Sequence, residues 1–194
     1  TNRWVHEGRW QTAIGVDVCG KTLGLMGFGA IAKNVARRAS GFGMKVLAYD
    51  PYVKELPEEF QSYVTLCGEN EVISGCDFLS LHLPLNDETR NMISAPQLAS
   101  MKAGAYVINA ARGGIVNEKD LYEALVSGHI AGAAMDVSEV EPMAKENPLR
   151  TLDNVIITPH IGMYSKEAIG AVSLICAQNV AACAAGAELK FQVV

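Results

Sequence analysis

Basic clusters, patterned cysteines and linker composition are all scarce in this 194-residue chain, and each shortage closes off a class of function. No run of lysine or arginine exceeds the pair Arg37 and Arg38, and 16 basic residues against 21 acidic ones leave a net charge of −5. That balance argues against nucleic acid or an anionic membrane as partner. The cysteines, Cys19, Cys67, Cys76, Cys176 and Cys183, are odd in number and show no CxxC spacing. A disulfide framework or a cysteine-based metal site does not fit that pattern, so no metal is expected, and reduced thiols in a cytoplasmic protein do fit. No internal repeat and no Ser/Gly/Pro linker divides the chain, and its length excludes a complete large two-domain enzyme. The first eleven residues hold two tryptophans and three charges and no apolar core of a signal peptide. One stretch, 168–187, has no charged residue, yet Ser173, Gln178, Asn179 and two glycines interrupt it. A core or interface helix is the expectation there, rather than a membrane span.

What is present is apolar and periodic. Hydrophobic residues make up 49% of the chain, enough for a substantial core. Short apolar runs at Thr22–Met26, Lys45–Tyr49, 63–66, Phe78–Leu81, Ala105–Asn109, Ile130–Met135 and Val155–Ile157 alternate with amphipathic stretches at 30–40, 69–74, 95–101 and 118–127. That alternation predicts an α/β fold, a Rossmann doubly wound parallel sheet of about seven strands. The helix over 118–127 carries its own signals, with Asn117 as N-cap, acidic residues in its first turn and Gly128 after its last periodic position. Residues 1–11 read as the tail of a helix, and 163–187 contain a long final one.

Two motif groups carry chemistry. Residues 27–32 read GFGAIA between the first predicted strand and helix. Gly27 suits the tight turn, Gly29 lets a pyrophosphate approach the backbone, and Ala32 still permits close packing of helix on strand. Asp50, at the end of the second strand, can accept hydrogen bonds from an adenosine ribose and repels a 2′-phosphate. The cofactor expected is NAD rather than NADP. Arg37 and Arg38 lie too far along the helix to reach a phosphate there and read as a solvated face.

The second group comprises NAARGG (109–114), DVSEVEP (136–142) and TPHIG (158–162), each at the carboxyl end of a predicted strand, where ligands of open α/β sheets bind. Arg112 can grip a carboxylate with its fork of donors, His160 can give or take a proton near neutrality, and Glu141 beside it would favour imidazolium. His129 reads as structural, His82 ends a strand near the adenine side with no chemistry assigned to it, and His6 belongs to the terminal helix with Trp4 and Trp10, whose exposed look suggests an interface.

The segments GKTLGLMGFGAIAKNVA, FGMKVLAYDP, HLPLNDETRNMI, VINAARGGIVNEKDL, GAAMDVSEVEP and NVIITPHIG, in this order and spacing, resemble the nucleotide-binding domain of the D-isomer-specific 2-hydroxyacid dehydrogenases. The similar branch includes D-3-phosphoglycerate dehydrogenase and the glyoxylate/hydroxypyruvate reductases. The resemblance implies that Arg112 binds a substrate carboxylate, His160 is the acid/base and Glu141 is its partner. It further implies cofactor contacts from Ala30 and Ile31 to the pyrophosphate and from Leu83 and Pro84 on the adenine side. Ala110, Ala111 and Asp136 fall at the nicotinamide end, with Arg112, His160 and Gly162 beside them. Glu141 argues against the formate dehydrogenase branch, which has glutamine there. Departures are Ala32 for the commoner glycine, Ser138 for a bulkier residue, and Met163 and Tyr164 where small residues are frequent. They bear on substrate identity.

The resemblance also implies that residues 1–194 are the cofactor domain alone, without the substrate-binding domain. Expected are binding of NAD(H) with little turnover, a small 2-hydroxy or 2-keto acid as substrate of the complete enzyme, and a homodimer through the nucleotide domain. An NAD(H)-sensing module like the corepressors of this fold is the alternative from another class. A Rossmann domain with a lapsed site is a third.

Overall fold

The structure, a computed structural model, describes residues 2–12 and 14–189. Two compact units divide after Ile157.

The first unit is built on β1 (Thr22–Met26), β2 (Lys45–Tyr49), β3 (Val64–Leu66), β4 (Phe78–Leu81), β5 (Ala105–Asn109), β6 (Ile130–Met135) and β7 (Val155–Ile157). All pair in parallel in the order β3-β2-β1-β4-β5-β6-β7. This is the expected doubly wound sheet of seven strands. Its order reverses between β1 and β4, the switch point beside which nucleotides bind in such folds.

Parallel neighbours need crossover connections, and these place helices on both faces. α2 (Ala30–Gly41) turns Ala32, Ala36 and Ala39 inward, at the spacing of one helical face. These small side chains bring the helix close to Leu23 and Leu25 of β1 and Val46 and Ala48 of β2. The opposite face is covered by α3 (Glu69–Gly75), α4 (Ala95–Ser100) and α5 (Glu118–Val126), with Val72, Ile73, Leu98, Leu121 and Leu125 buried against Met26, Leu79, Leu81 and Val107. Each fully buried aliphatic side chain there contributes roughly 1.5–3 kcal/mol. The α5 start is as expected: the Asn117 side chain accepts the Asp120 backbone N–H at 3.0 Å.

A short helix α1 (Asn2–His6) opens the described chain, within the expected helix tail; Thr1 lies outside the described residues. Trp10 is exposed as expected, whereas Trp4 is half-buried, with the Arg9 guanidinium 5.8 Å from its ring. Arg37 pairs with Glu59 at 2.7 Å and lies 4.9 Å from the Phe60 ring, on the solvated face foreseen for it.

The second unit holds the 158–162 turn and α6 (Lys166–Ala184), whose N-cap Ser165 accepts the Ala168 N–H at 3.0 Å. By length and composition α6 could cross a membrane, and none of its residues is buried. A role as a core helix is therefore not what the described residues show.

Candidate active site

β1 delivers the chain into a turn that only glycine can make. Gly27 has φ +91°, and a β-carbon on it would lie 2.6 Å from the His82 carbonyl oxygen. Its N–H donates to the Tyr49 carbonyl at 2.7 Å, tying the turn to β2. Gly29 is the N-cap of α2, offers no side-chain cap, and has open space where a side chain would stand. Ala30 and Ile31 follow, both exposed, and the first turn of α2 contains no acidic residue. The first N–H groups of a helix have no intrahelical acceptor, and its N-terminus carries partial positive charge. These residues therefore fit a pyrophosphate, with the glycine gap admitting it and the helix end supplying donors.

Asp50 closes the turn from β2. Its Oδ2 accepts the Phe28 N–H at 2.8 Å and its Oδ1 accepts the Tyr52 N–H at 2.9 Å. Phe28 is fully buried, edge-on to Phe60 at 5.3 Å. The carboxylate is thus held in place by two backbone donors, and each oxygen retains acceptor capacity for ribose hydroxyls. Sequence reading singled out Asp50 at the end of the second strand but not this latch on the turn.

Leu83 and Pro84 leave β4 beside Gly27; a β-carbon on Gly27 would lie 3.1 Å from a Leu83 methyl. The segment after them is closed on itself, with Thr89 Oγ1 donating to the Pro84 carbonyl at 2.7 Å and Asn86 Oδ1 accepting the Thr89 N–H at 2.9 Å. It is then tied to the arginine loop: the Asn91 N–H donates to the Gly114 carbonyl at 2.8 Å, and Ile93 bridges Val116. His82 sits just past β4, its Nε2 3.0 Å from Ser80 Oγ, and burial pushes its imidazole down to about 4. It is neutral at pH 7. His129 precedes β6, at the opposite end of the sheet from this loop cluster.

Asn109, fully buried at the end of β5, shapes the arginine loop with its side chain. Its Nδ2 donates to the Arg112 carbonyl at 3.0 Å and its Oδ1 accepts the Ala111 N–H at 3.1 Å. Ala110 and Arg112 are consequently exposed, and one Arg112 donor reaches the Ala111 carbonyl at 2.7 Å. Gly113 packs directly against the next loop: a β-carbon there would fall 1.8 Å from the Ser138 carbonyl oxygen. Asp136 follows β6 directly, its N–H donating to the Asn109 carbonyl at 2.9 Å. Glu141 precedes a cis proline, and its Oε1 accepts the Ser138 N–H at 3.2 Å. Arg112 and Glu141 thus stand on two loops in direct backbone contact. Ser138, the departure in this loop, is nearly buried and donates its hydroxyl to the Val140 carbonyl at 2.8 Å.

His160 and Gly162 belong to the second unit. His160 is exposed and adopts φ +54°, with its N–H donating to the Thr158 carbonyl at 3.0 Å. That left-handed conformation costs a non-glycine residue on the order of 1–2 kcal/mol. Such outliers gather at functional sites.

Glu118 was legible only as an acid in the first turn of a helix, but it reaches residues 21 and 29 positions ahead, Glu139 and Asn147. No local signal marks such a contact.

Comparison with known proteins places this geometry. Residues 1–162 match the family model of the D-isomer specific 2-hydroxyacid dehydrogenase, NAD binding domain. D-3-phosphoglycerate dehydrogenase of Methanocaldococcus jannaschii is 45% identical over 178 residues, 91% of this chain and 34% of that protein. The crystal structure of a glyoxylate reductase from Paecilomyes thermophila superposes with a TM-score of 0.90 at 35% identity, covering 99% of this chain and 58% of that one. D-lactate dehydrogenase with NAD+ from Lactobacillus jensenii gives 0.87 at 33% identity, covering 100% and 62%. The chain therefore spans only about a third to three fifths of the length of these proteins. With a family match over residues 1–162 and relatives at this identity, the chain belongs to the D-isomer specific 2-hydroxyacid dehydrogenases, as their NAD binding domain.

Proposed function

We propose that this chain is the cofactor-binding part of an enzyme that interconverts a small D-2-hydroxy acid and its 2-keto acid, of the phosphoglycerate dehydrogenase or glyoxylate/hydroxypyruvate reductase kind. The observation that carries it is the Asp50 carboxylate, held by the Phe28 N–H beside the open glycine turn, where it meets a 2′-hydroxyl and repels a 2′-phosphate. NADH, when bound, supplies the hydride for C2 of the keto acid. Arg112 binds the substrate carboxylate and draws electron density from the adjacent carbonyl. His160 donates the proton that the carbonyl oxygen takes up, so that one hydride and one proton add across the double bond; in the reverse direction it removes that proton. Glu141 is assigned as the acidic partner of His160. Ala30, Ile31, Leu83, Pro84, Ala110, Ala111, Asp136 and Gly162 are assigned to cofactor contacts, and no metal takes part.

Calorimetric titration with NADH and NADPH tests the cofactor half. Wild-type protein should prefer NADH; Asp50→Asn, which keeps an acceptor for the turn, should lose discrimination, and Asp50→Ala should weaken both. Failure of either cofactor to bind would refute the assignment.

The chain by itself is proposed to turn over poorly, because in this architecture domain closure excludes water and completes the substrate site. Rates comparable to those of a full-length enzyme would overturn that. A homodimer formed through this domain, in a reducing cytoplasm, fits the exposed Trp10, Ile14 and Val16 and the five free thiols. A monomer in light scattering at micromolar concentration would count against it.

A further inference from the structure

Glu118 opens α5 immediately after its N-cap, a place where a carboxylate is ordinarily explained by the helix dipole. Here both its oxygens leave the helix. Oε1 accepts the Glu139 backbone N–H at 2.7 Å, and Oε2 accepts the Asn147 side-chain amide at 2.6 Å. These lengths belong to charge-assisted hydrogen bonds, roughly twice as strong as neutral ones. The two partners bracket the segment that carries Glu141. Asn147 cannot turn its amide over, since its Oδ1 is occupied by the Leu149 N–H at 3.0 Å. One residue before the bracket, the Ser138 N–H reaches in to Glu141 Oε1.

We infer that Glu118 is a positioning residue for Glu141. It pins the loop at both ends to the helix that follows the Arg112 loop, and thereby holds the Glu141 carboxylate on the Ser138 amide. The functional weight of this rests on the role proposed for Glu141; the pinning itself does not.

The donor pattern allows a polarity swap. Glu118→Gln leaves a single acceptor for two donors, so its NH2 faces either the Asn147 NH2 or the Glu139 N–H, donor against donor. Asn147→Asp sets two carboxylates face to face. Together they restore one donor and one acceptor, and the introduced aspartate keeps an oxygen for the Leu149 N–H.

Amide hydrogen exchange at Ser138, whose acceptor is Glu141 and not Glu118, is the readout on this chain, with β6 amides as internal reference. Glu118→Gln should speed Ser138 exchange on the order of 10-fold relative to β6, the worth of one hydrogen bond to a charged group, and the double variant should return it to within about 3-fold. Unchanged Ser138 exchange in both Glu118→Gln and Glu118→Ala overturns the inference. A rise shared equally by β6 also overturns it, because the loss would then be global. In the full-length enzyme, Glu118→Gln should move the pH profile of reduction in the same direction as Glu141→Gln, and the double variant should restore it. If Glu141→Gln leaves that profile unmoved while Ser138 exchange responds to Glu118, the proposed role of Glu141 falls and the positioning stands.

Discussion

Replacing Gly113 by alanine puts a methyl group where the neighbouring loop already stands. The new β-carbon would sit 1.8 Å from the Ser138 carbonyl oxygen, 2.3 Å from its carbon and 2.9 Å from the Glu139 nitrogen. All three are backbone atoms, so no rotamer change relieves the clash. Real β-carbons essentially never come closer than 3.0 Å, so the Arg112 loop and the Glu141 loop must separate by at least about 1.2 Å. Overpacking of this kind costs typically about 1–3 kcal/mol of stability. A misplacement near 1 Å between reacting groups can cost on the order of 100-fold in rate. Two assays separate these effects. Urea unfolding of the chain should show a lowered midpoint with an unchanged slope. Steady-state kinetics of Gly113→Ala in the full-length enzyme should show kcat/KM reduced about 100-fold, while NADH affinity falls by less, since the glycine turn after β1 is undisturbed and only the contacts proposed for Ala110 and Ala111 lie on the displaced loop. Gly170→Ala in α6 is the control, because nothing stands within 4 Å of that position and alanine favours a helix. A wild-type midpoint together with wild-type kcat/KM for Gly113→Ala would refute the claim that the two loops are held by this contact.

Two further outcomes are expected. Burial holds the His82 imidazole at about 4, below its ordinary 6.5, so the unfolded chain binds this proton first on acidification. The stability tied to neutral His82 is therefore present above about pH 6.5 and lost as pH falls toward 4, at most on the order of 3 kcal/mol. Urea midpoints at pH 7 and pH 4.5 should diverge more for the wild type than for His82→Gln, and equal divergence would sink the argument. Cys76 is buried and its thiol is pushed up to about 12, chiefly by desolvation, whereas Cys19, Cys176 and Cys183 are exposed. Alkylation of native protein near pH 8 should label those three and spare Cys76; equal labelling of Cys76 would show that α3 does not cover β1 as described.

Much of this molecule was already determined by local sequence. Seven apolar runs became seven strands; the inner ones, β1, β4, β5 and β6, are covered on both faces, and a strand so covered must be apolar throughout. The glycine turn after β1 was equally legible, since Gly27 is required there by its own backbone geometry, a property that resides in a single residue. Asn117 as the cap of α5 followed from side-chain chemistry one turn away. Tertiary structure alone decided the rest. That Asp50 latches the Phe28 amide depends on how β2 lies beside β1, and that Gly113 must lack a side chain depends on a carbonyl 25 residues further on. Trp4 was read as exposed and is half-buried, because the cover given by Arg9 depends on the chain folding back on itself. Glu118 shows the limit most plainly. Its helix start, its charge and its position after the cap all explain it locally, and none of them reveals that its two oxygens hold a loop that sequence places 21 to 29 residues away. Periodicity and turn chemistry report what a residue does to its own backbone; which distant backbone it will hold is settled only when the sheet brings the strand ends into line.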